Sequence, residues 1–130
     1  IGYDQVDGYL HGALHEWETS GRKLDTLSVT TAAQLRDRMG GSDGAPTVLD
    51  VRKIDEYEAG HLDNSVHVFL GELPDRVSQF SGEDEVVTFC GSGRRASIAA
   101  SILRRNGIRG VSNNLGSMAA CKAVGCEIVQ

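Results

Sequence analysis

The feature that most constrains the fold is a short apolar run that ends on a cysteine and passes into a glycine-spaced, doubly cationic turn. Residues 86–97 are Val-Val-Thr-Phe-Cys-Gly-Ser-Gly-Arg-Arg-Ala-Ser. Val86–Phe89 carries no charge, which favours a strand buried on both faces of a parallel sheet. Residues 96–106 are rich in helix formers, and Gly107 suits a left-handed helix stop. Cys90 is therefore predicted at the carboxyl edge of a sheet, just before a helix.

The turn after Cys90 is suited to hold an anion. Glycines allow successive backbone N–H groups to converge, and the helix dipole and the arginines add positive potential. Such surroundings lower the pKa of a cysteine, which is ordinarily about 8.5. We therefore predict Cys90 as a thiolate nucleophile. The predicted substrate-binding residues are Gly91, Ser92, Gly93, Arg94 and Arg95. The alternative is a small buried core residue, the common fate of a free cysteine.

The rest of the chain alternates strand and helix patterns, which predicts an α/β fold with a mostly parallel sheet. The predicted helices are 35–39 behind a capping box at Thr31–Gln34, 53–60 and 73–80, and the predicted strands are 47–51 and 66–69. Hydrophobic residues make up 40% of the 130, enough for one ordinary core.

Composition excludes several classes of partner. The net charge is −5 without a basic patch, which argues against nucleic acid, and no apolar run is long enough to span a membrane. Three cysteines without framework spacing indicate reduced thiols and a cytoplasmic location. His11 and His15 stand four apart but have no third ligand nearby, so no metal site is predicted.

The two ends of the chain carry an internal repeat. Each passes from a strand to a glycine turn and then to a short helix stopped by glycine. The matched pairs are Gly2 and Gly107, Val6 and Val111, Leu10 and Leu115, then after a one-residue slip Gly12 and Gly116, Leu14 and Met118, Trp17 and Cys121, Gly21 and Gly125. We expect residues 1–24 to be the tail of a preceding copy and residues 25–130 to be the complete domain. The alternative is chance likeness between glycine-punctuated segments.

Three separated motifs resemble the rhodanese family of sulfurtransferases. They are Val48-Leu-Asp-Val-Arg52, Glu56-Tyr-Glu-Ala-Gly-His-Leu62 and Cys90-Gly-Ser-Gly-Arg-Arg-Ala-Ser97. The resemblance implies a five-stranded parallel sheet flanked by helices on both faces, and a Cys90 persulfide surrounded by amides of residues 91–95. It also implies a small-molecule sulfur donor, thiosulfate or a low-molecular-weight persulfide, a thiophilic acceptor, and no cofactor.

The truncated copy is similar to bacterial fusions in which a metallo-β-lactamase-fold persulfide dioxygenase precedes two rhodanese domains. The resemblance therefore implies an upstream domain of the same polypeptide as a partner. The turn after the last strand departs from the family, because Cys121 replaces a tryptophan and Ser117 replaces a glycine. We expect these changes to affect packing more than the active loop.

Other residues receive lesser roles. Asp50 and Arg52 end a strand at the edge predicted for Cys90, so they are candidates for supporting the loop. The alternative, which we favour, is a structural salt-bridge or hydrogen-bond role. His61 is expected to be a scaffold residue. Cys121 and Cys126 are expected to be packing residues of the last helix and strand, although either could resolve a persulfide.

Two other functions remain open. A phosphatase or arsenate reductase also places a cysteine before a helix but needs arginine six positions later, where this chain has Ala96. A catalytically idle, regulatory rhodanese-like module would have the same fold, since a fold does not fix a function. Retention of Cys90 and both arginines favours the enzyme.

Overall fold

The chain folds around a five-stranded parallel sheet in the computed structural model, which describes residues 7–41 and 44–130. Its strands are Ser28–Thr31 (β1), Thr47–Asp50 (β2), Val66–His67 (β4), Glu85–Phe89 (β5) and Gly110–Leu115 (β6). They lie in the order β1-β6-β5-β2-β4. Two further strands, His61–Leu62 (β3) and Ile128–Val129 (β7), pair antiparallel beside the sheet.

The chain has six α-helices among the described residues, and all but α1 lie against the sheet domain. They are Ala13–Thr19 (α1), Ala32–Met39 (α2), Ile54–Glu58 (α3), Leu73–Arg76 (α4), Arg94–Arg105 (α5) and Ser117–Val124 (α6). One core layer holds residues of α4 and α5, and the other holds residues of α2 and α6. The predicted fold, a five-stranded parallel sheet flanked by helices on both faces, is confirmed.

The central strand β5 has the two buried faces that its apolar run predicts. Val86 and Cys90 face the layer that contains α5, whereas Val87 and Phe89 face the layer that contains α6. The alternation follows from the two-residue period of a strand. It places the cysteine on the α5 side of the sheet at the carboxyl end of β5.

Several element boundaries differ from the sequence predictions. β1 was not predicted from the residues, because only Thr30 of its four residues is buried and the apolar alternation is too short to detect. The predicted helix 73–80 divides into α4 and a 3₁₀ turn at Val77–Gln79. A 3₁₀ turn aligns residues three apart, and Val77 and Phe80 both reach the α5-side core.

Further differences concern α5, β4 and Cys126. α5 begins at Arg94 rather than at 96, and β4 covers only Val66–His67 of the predicted 66–69. Cys126 lies between α6 and β7 rather than in a strand.

The first copy of the repeat precedes the domain in sequence. The predicted strand residues Gly2 and Val6 fall outside the described residues, and residues 7–10 carry no regular secondary structure. The predicted glycine turn and helix are present as Gly12 and α1. Every residue from 7 to 26 is exposed, so this segment contributes nothing to the core.

Among the residues that the structure describes, none of the helices has the length and apolar content that a membrane crossing requires. Nor does any group of three or more His, Cys, Asp or Glu side chains there lie close enough together to hold a metal ion.

Candidate active site

Cys90 lies directly after β5, at the floor of a loop formed by residues 90–95. It is 1% exposed and packs in the α5-side core, while Ser92 at the top of the loop is exposed. Gly93 caps α5 with a φ of +99°, a left-handed conformation that glycine adopts without strain. The loop therefore turns sharply over the sulfur and directs its backbone amides toward it.

The sulfur accepts hydrogen bonds from these amides. The Gly93 N–H donates to Cys90 Sγ over 3.1 Å. Burial raises the pKa of Cys90, but hydrogen bonds from the backbone of Ala96, Ser92 and Gly93 and from the Ser117 hydroxyl outweigh it. The net pKa lies below the ordinary value of a cysteine. The loop thus stabilises a thiolate, as its glycine spacing predicts.

The start of α6 holds the same loop from behind. The N–H groups of Met118 and Ala119 donate to the carbonyl oxygens of Cys90 and Gly91 over 3.0 and 3.1 Å. Because these amides would otherwise be unpaired at a helix N-terminus, the contact satisfies both elements. The last helix of the domain is therefore part of the site.

Ser117 is a site residue that the sequence analysis treated only as a change in packing. It is fully buried, and its hydroxyl accepts the Cys90 N–H over 3.1 Å. Its single proton has two acceptors, the Asn114 carbonyl oxygen at 3.0 Å and the Cys90 sulfur. Its φ of 45° is uncommon for a residue other than glycine. Sequence gives one usable signal for this role, a serine where the family has glycine.

The two loop arginines occupy different environments. Arg95 forms a two-pronged ion pair with Glu56, with N–O distances of 2.6 and 2.8 Å. Arg95 lowers the pKa of Glu56 to about 2 through hydrogen bonds, which outweigh the raising effect of burial. Arg94 is exposed and forms no ion pair with any residue that the structure describes. Only Arg94 is thus free to meet an incoming anion without first leaving a carboxylate.

Glu56 is the second site residue that sequence reasoning missed. Its carboxylate accepts the Lys53 N–H at the start of α3 and both Arg95 donors, so it joins α3 to the cysteine loop. The two partners are 39 residues apart in sequence, so no local sequence pattern predicts the pair. Its only signal is membership of the second family motif.

Asp50 and Arg52 form a buried ion pair at the end of β2. The shortest N–O distance is 2.7 Å, and Arg52 also donates to the Gly60 carbonyl oxygen over 2.8 Å. Because both charges are paired and hydrogen-bonded, burial does not leave either isolated. The pair fixes the end of the strand next to β5 and its following turn. Its support of the cysteine loop stays a prediction.

The other candidate residues lie apart from the sulfur. Cys121 belongs to the core layer on the opposite face of the sheet from Cys90, and Cys126 packs against that same layer. His61 stacks on the Tyr57 ring with centroids 3.9 Å apart and bonds its carbonyl oxygen, as a scaffold residue does. The sheet therefore separates Cys90 from Cys121.

Comparison with known proteins identifies the family whose pattern the chain matches. The profile described as "Rhodanese-like domain" matches residues 31–123. The solution structure of the rhodanese-like domain of the Anabaena protein Alr3790 superposes with a TM-score of 0.74 at 28% identity, covering 80% of each chain.

Two curated relatives match in sequence. "Putative sulfur carrier protein YrkF" of Bacillus subtilis is 39% identical over 77 residues, which are 59% of this chain and 42% of that protein. "Putative thiosulfate sulfurtransferase, mitochondrial" of Schizosaccharomyces pombe is 31% identical in an alignment of length 88, which covers 58% of this chain and 62% of that protein. The chain thus spans less than two thirds of either relative.

Proposed function

Because this chain belongs to the rhodanese-like domain family, we propose that it is a sulfurtransferase that carries sulfane sulfur on Cys90. The observation that supports this most directly is the hydrogen-bonded sulfur at the end of β5, whose pKa is lowered despite its burial. A lowered pKa increases the fraction of thiolate at neutral pH, and the thiolate is the form that attacks sulfur. The names of the two curated relatives concern sulfur carriage and thiosulfate sulfur transfer.

The reaction proceeds in two exchanges at divalent sulfur. The Cys90 thiolate attacks the outer sulfur of the donor, a new S–S bond forms, and the donor S–S bond breaks. Sulfite or a thiolate leaves with the bonding electron pair. A thiophilic acceptor then attacks the outer sulfur of the Cys90 persulfide and regenerates the thiolate. No electron or proton has to come from a cofactor.

The loop amides stabilise both the thiolate and the persulfide. N–H groups that are already directed at the sulfur need no rearrangement as negative charge moves from Sγ to the terminal sulfur. Arg94 is exposed in the loop and attracts an anionic donor. Arg95 is held by Glu56 at a position where its positive charge interacts with the charge of the Cys90 thiolate. These groups favour thiosulfate or a low-molecular-weight persulfide as donor.

A cavity along the same edge of the sheet gives room for the organic part of a donor or acceptor. It measures about 530 Å³, a size typical of small-molecule sites. It is lined by Lys53, Ile54, Asp55, His67, Phe69 and Glu72. Its lining includes Ile54 and Asp55 of α3, the helix that also carries Glu56, but no residue of the cysteine loop.

The site geometry disfavours the phosphatase alternative. An oxyanion-binding loop needs an arginine that closes over the anion, whereas Arg95 points its donors at Glu56 and the next position is Ala96.

The metallo-β-lactamase-fold domain further upstream and the cytoplasmic location remain predictions from sequence.

Intact-mass measurement tests the proposed function. The protein is exposed briefly to thiosulfate and, separately, to glutathione persulfide, alongside the Cys90→Ser variant. We expect the gain of one sulfur atom, absent from the variant and reversed by cyanide, and the faster donor ranks the substrates. No gain from either donor, with the fold intact by circular dichroism, would establish the idle module instead.

A further inference from the structure

The N-terminal helix repeats the geometry of α6 in detail. Gly12, Ala13 and Gly21 have φ angles of 80°, 46° and 79°. The equivalent residues Gly116, Ser117 and Gly125 have φ angles of 74°, 45° and 76°. A helix of similar length lies between the turn and the stop in both segments.

This agreement is not what glycine turns alone would produce. Only three non-glycine residues in the described part of the chain have positive φ, and two of them are Ala13 and Ser117. The steric surroundings of the turns also match, since a Cβ on Gly12 would meet Glu16 and a Cβ on Gly116 would meet Ala120, the residue equivalent to Glu16. The sequence repeat is therefore a repeat of structure.

The two helices differ in what covers them. Met118 and Cys121 are 6% and 0% exposed because they pack on α2 and β5. The equivalent Leu14 and Trp17 are 66% and 36% exposed, and α1 has no buried residue. An apolar face with the geometry of a closing helix thus lies in solvent.

We propose that α1 is the closing helix of a second rhodanese-like unit, formed by chain that precedes it, and that Leu14 and Trp17 fill its core. The occupant is identified by what covers α6 in the repeat, namely a helix equivalent to α2 and the central strand of a parallel sheet. The amides of Leu14 and His15 then hold the loop after that strand, as Met118 and Ala119 hold the loop of Cys90. This inference does not depend on sulfur transfer.

A fusion tests the proposal, because the repeat defines a seamless junction. Residue 2 is equivalent to residue 107, so residues 25–106 are placed directly in front of residues 2–130. In this fusion, residues 2–24 follow the added residues 25–106 and can complete the added unit. The control fusion joins 25–106 to residue 25 and lacks the closing segment. Trp17 is the only tryptophan, and its emission reports burial of α1 alone.

We expect Trp17 emission to shift to shorter wavelength in the fusion and the added unit to resist protease, unlike the added unit of the control. Leu14→Glu should remove both effects in the fusion but leave the melting temperature of the original chain unchanged. Since an indole could fail to fit where Cys121 fits, a second fusion carries Trp17→Cys and is scored by protease resistance. The proposal would be overturned if Trp17 stayed exposed in the first fusion and the added unit were digested both there and in the Trp17→Cys fusion.

Discussion

Cys90 and Cys121 are the same residue type, are almost equally buried, and lie on opposite faces of one sheet, yet their acidities move in opposite directions. Cys90 is 1% exposed and Cys121 is fully buried. The pKa of Cys90 is lowered, whereas burial and the neighbouring Cys126 raise the pKa of Cys121 far above its ordinary value. Exposure therefore does not explain which thiol is reactive.

The difference lies in the backbone around each sulfur. Cys90 follows a strand end, where a loop and a helix N-terminus leave N–H groups without partners of their own. Cys121 lies inside α6, where its neighbours' amides serve the helix, and its sulfur meets apolar side chains and a second thiol. Position at an element boundary, rather than residue type, therefore distinguishes the buried cysteine whose pKa is lowered from the one whose pKa is raised.

Removing each sulfur gives the largest contrast. Cys90→Ala should reduce sulfur transfer by about a thousandfold or more, because the variant has no nucleophile. Cys121→Ala should leave transfer within about twofold and cost roughly 1 kcal/mol of unfolding free energy from the small cavity. Steady-state assays and chemical denaturation measure the two effects. Equal losses of transfer in the two variants would contradict the assignment of the reaction to Cys90 alone.

Alkylation at pH 7 should be faster at Cys90 than at Cys121 by at least about a hundredfold, because Cys90 has the larger thiolate fraction. Cys90 should react with a midpoint below pH 8.5, and Cys121 should react only after unfolding. The signs for stability are opposite. The lowered pKa of Cys90 stabilises the fold increasingly as pH rises past its folded pKa, while the raised pKa of Cys121 destabilises it above about pH 8.5. Peptide mapping after timed alkylation from pH 5 to 10 separates the two sites.

The ion pair beside the loop sharpens the contrast further. Arg95→Ala should lower transfer by about tenfold, because Glu56 is left with an unpaired negative charge next to the cysteine loop. The double variant with Glu56→Gln should recover part of that loss, to about threefold below the parent. Arg95→Ala should also lower the transfer rate from thiosulfate more than the rate from a neutral donor. Additive effects in the cycle, or equal losses for both donors, would contradict this role.

Ser117 should have the smallest effect on rate. Ser117→Ala removes the acceptor of the Cys90 N–H, which costs about 1–2 kcal/mol and raises the pKa of Cys90. Ser117→Gly removes the same hydroxyl but relieves the positive φ, so it should be more stable than the alanine variant by about 1 kcal/mol. Thermal unfolding and the pH dependence of alkylation distinguish strain from hydrogen bonding. An unchanged alkylation midpoint in both variants would remove Ser117 from the site.

Local patterns were sufficient for the fold class and for the cysteine loop. The apolar run, the glycines and the helix formers around Cys90 are contiguous, and the capping box at Thr31 and Gln34 is present as predicted. Ser117 and Glu56 escaped because their partners lie 27 and 39 residues away, and a single sequence does not show which residues the fold brings together. The edge strand β1 escaped because one buried residue in four leaves too little pattern to detect.

The hold of α6 on the cysteine loop also has a consequence for synthesis. The carbonyl groups of Cys90 and Gly91 and the amide of Cys90 find their partners at residues 117–119. Until the ribosome has made residues 117–119, the backbone of the cysteine loop lacks these partners. The domain can therefore hold its loop in place only after its last helix has been synthesised.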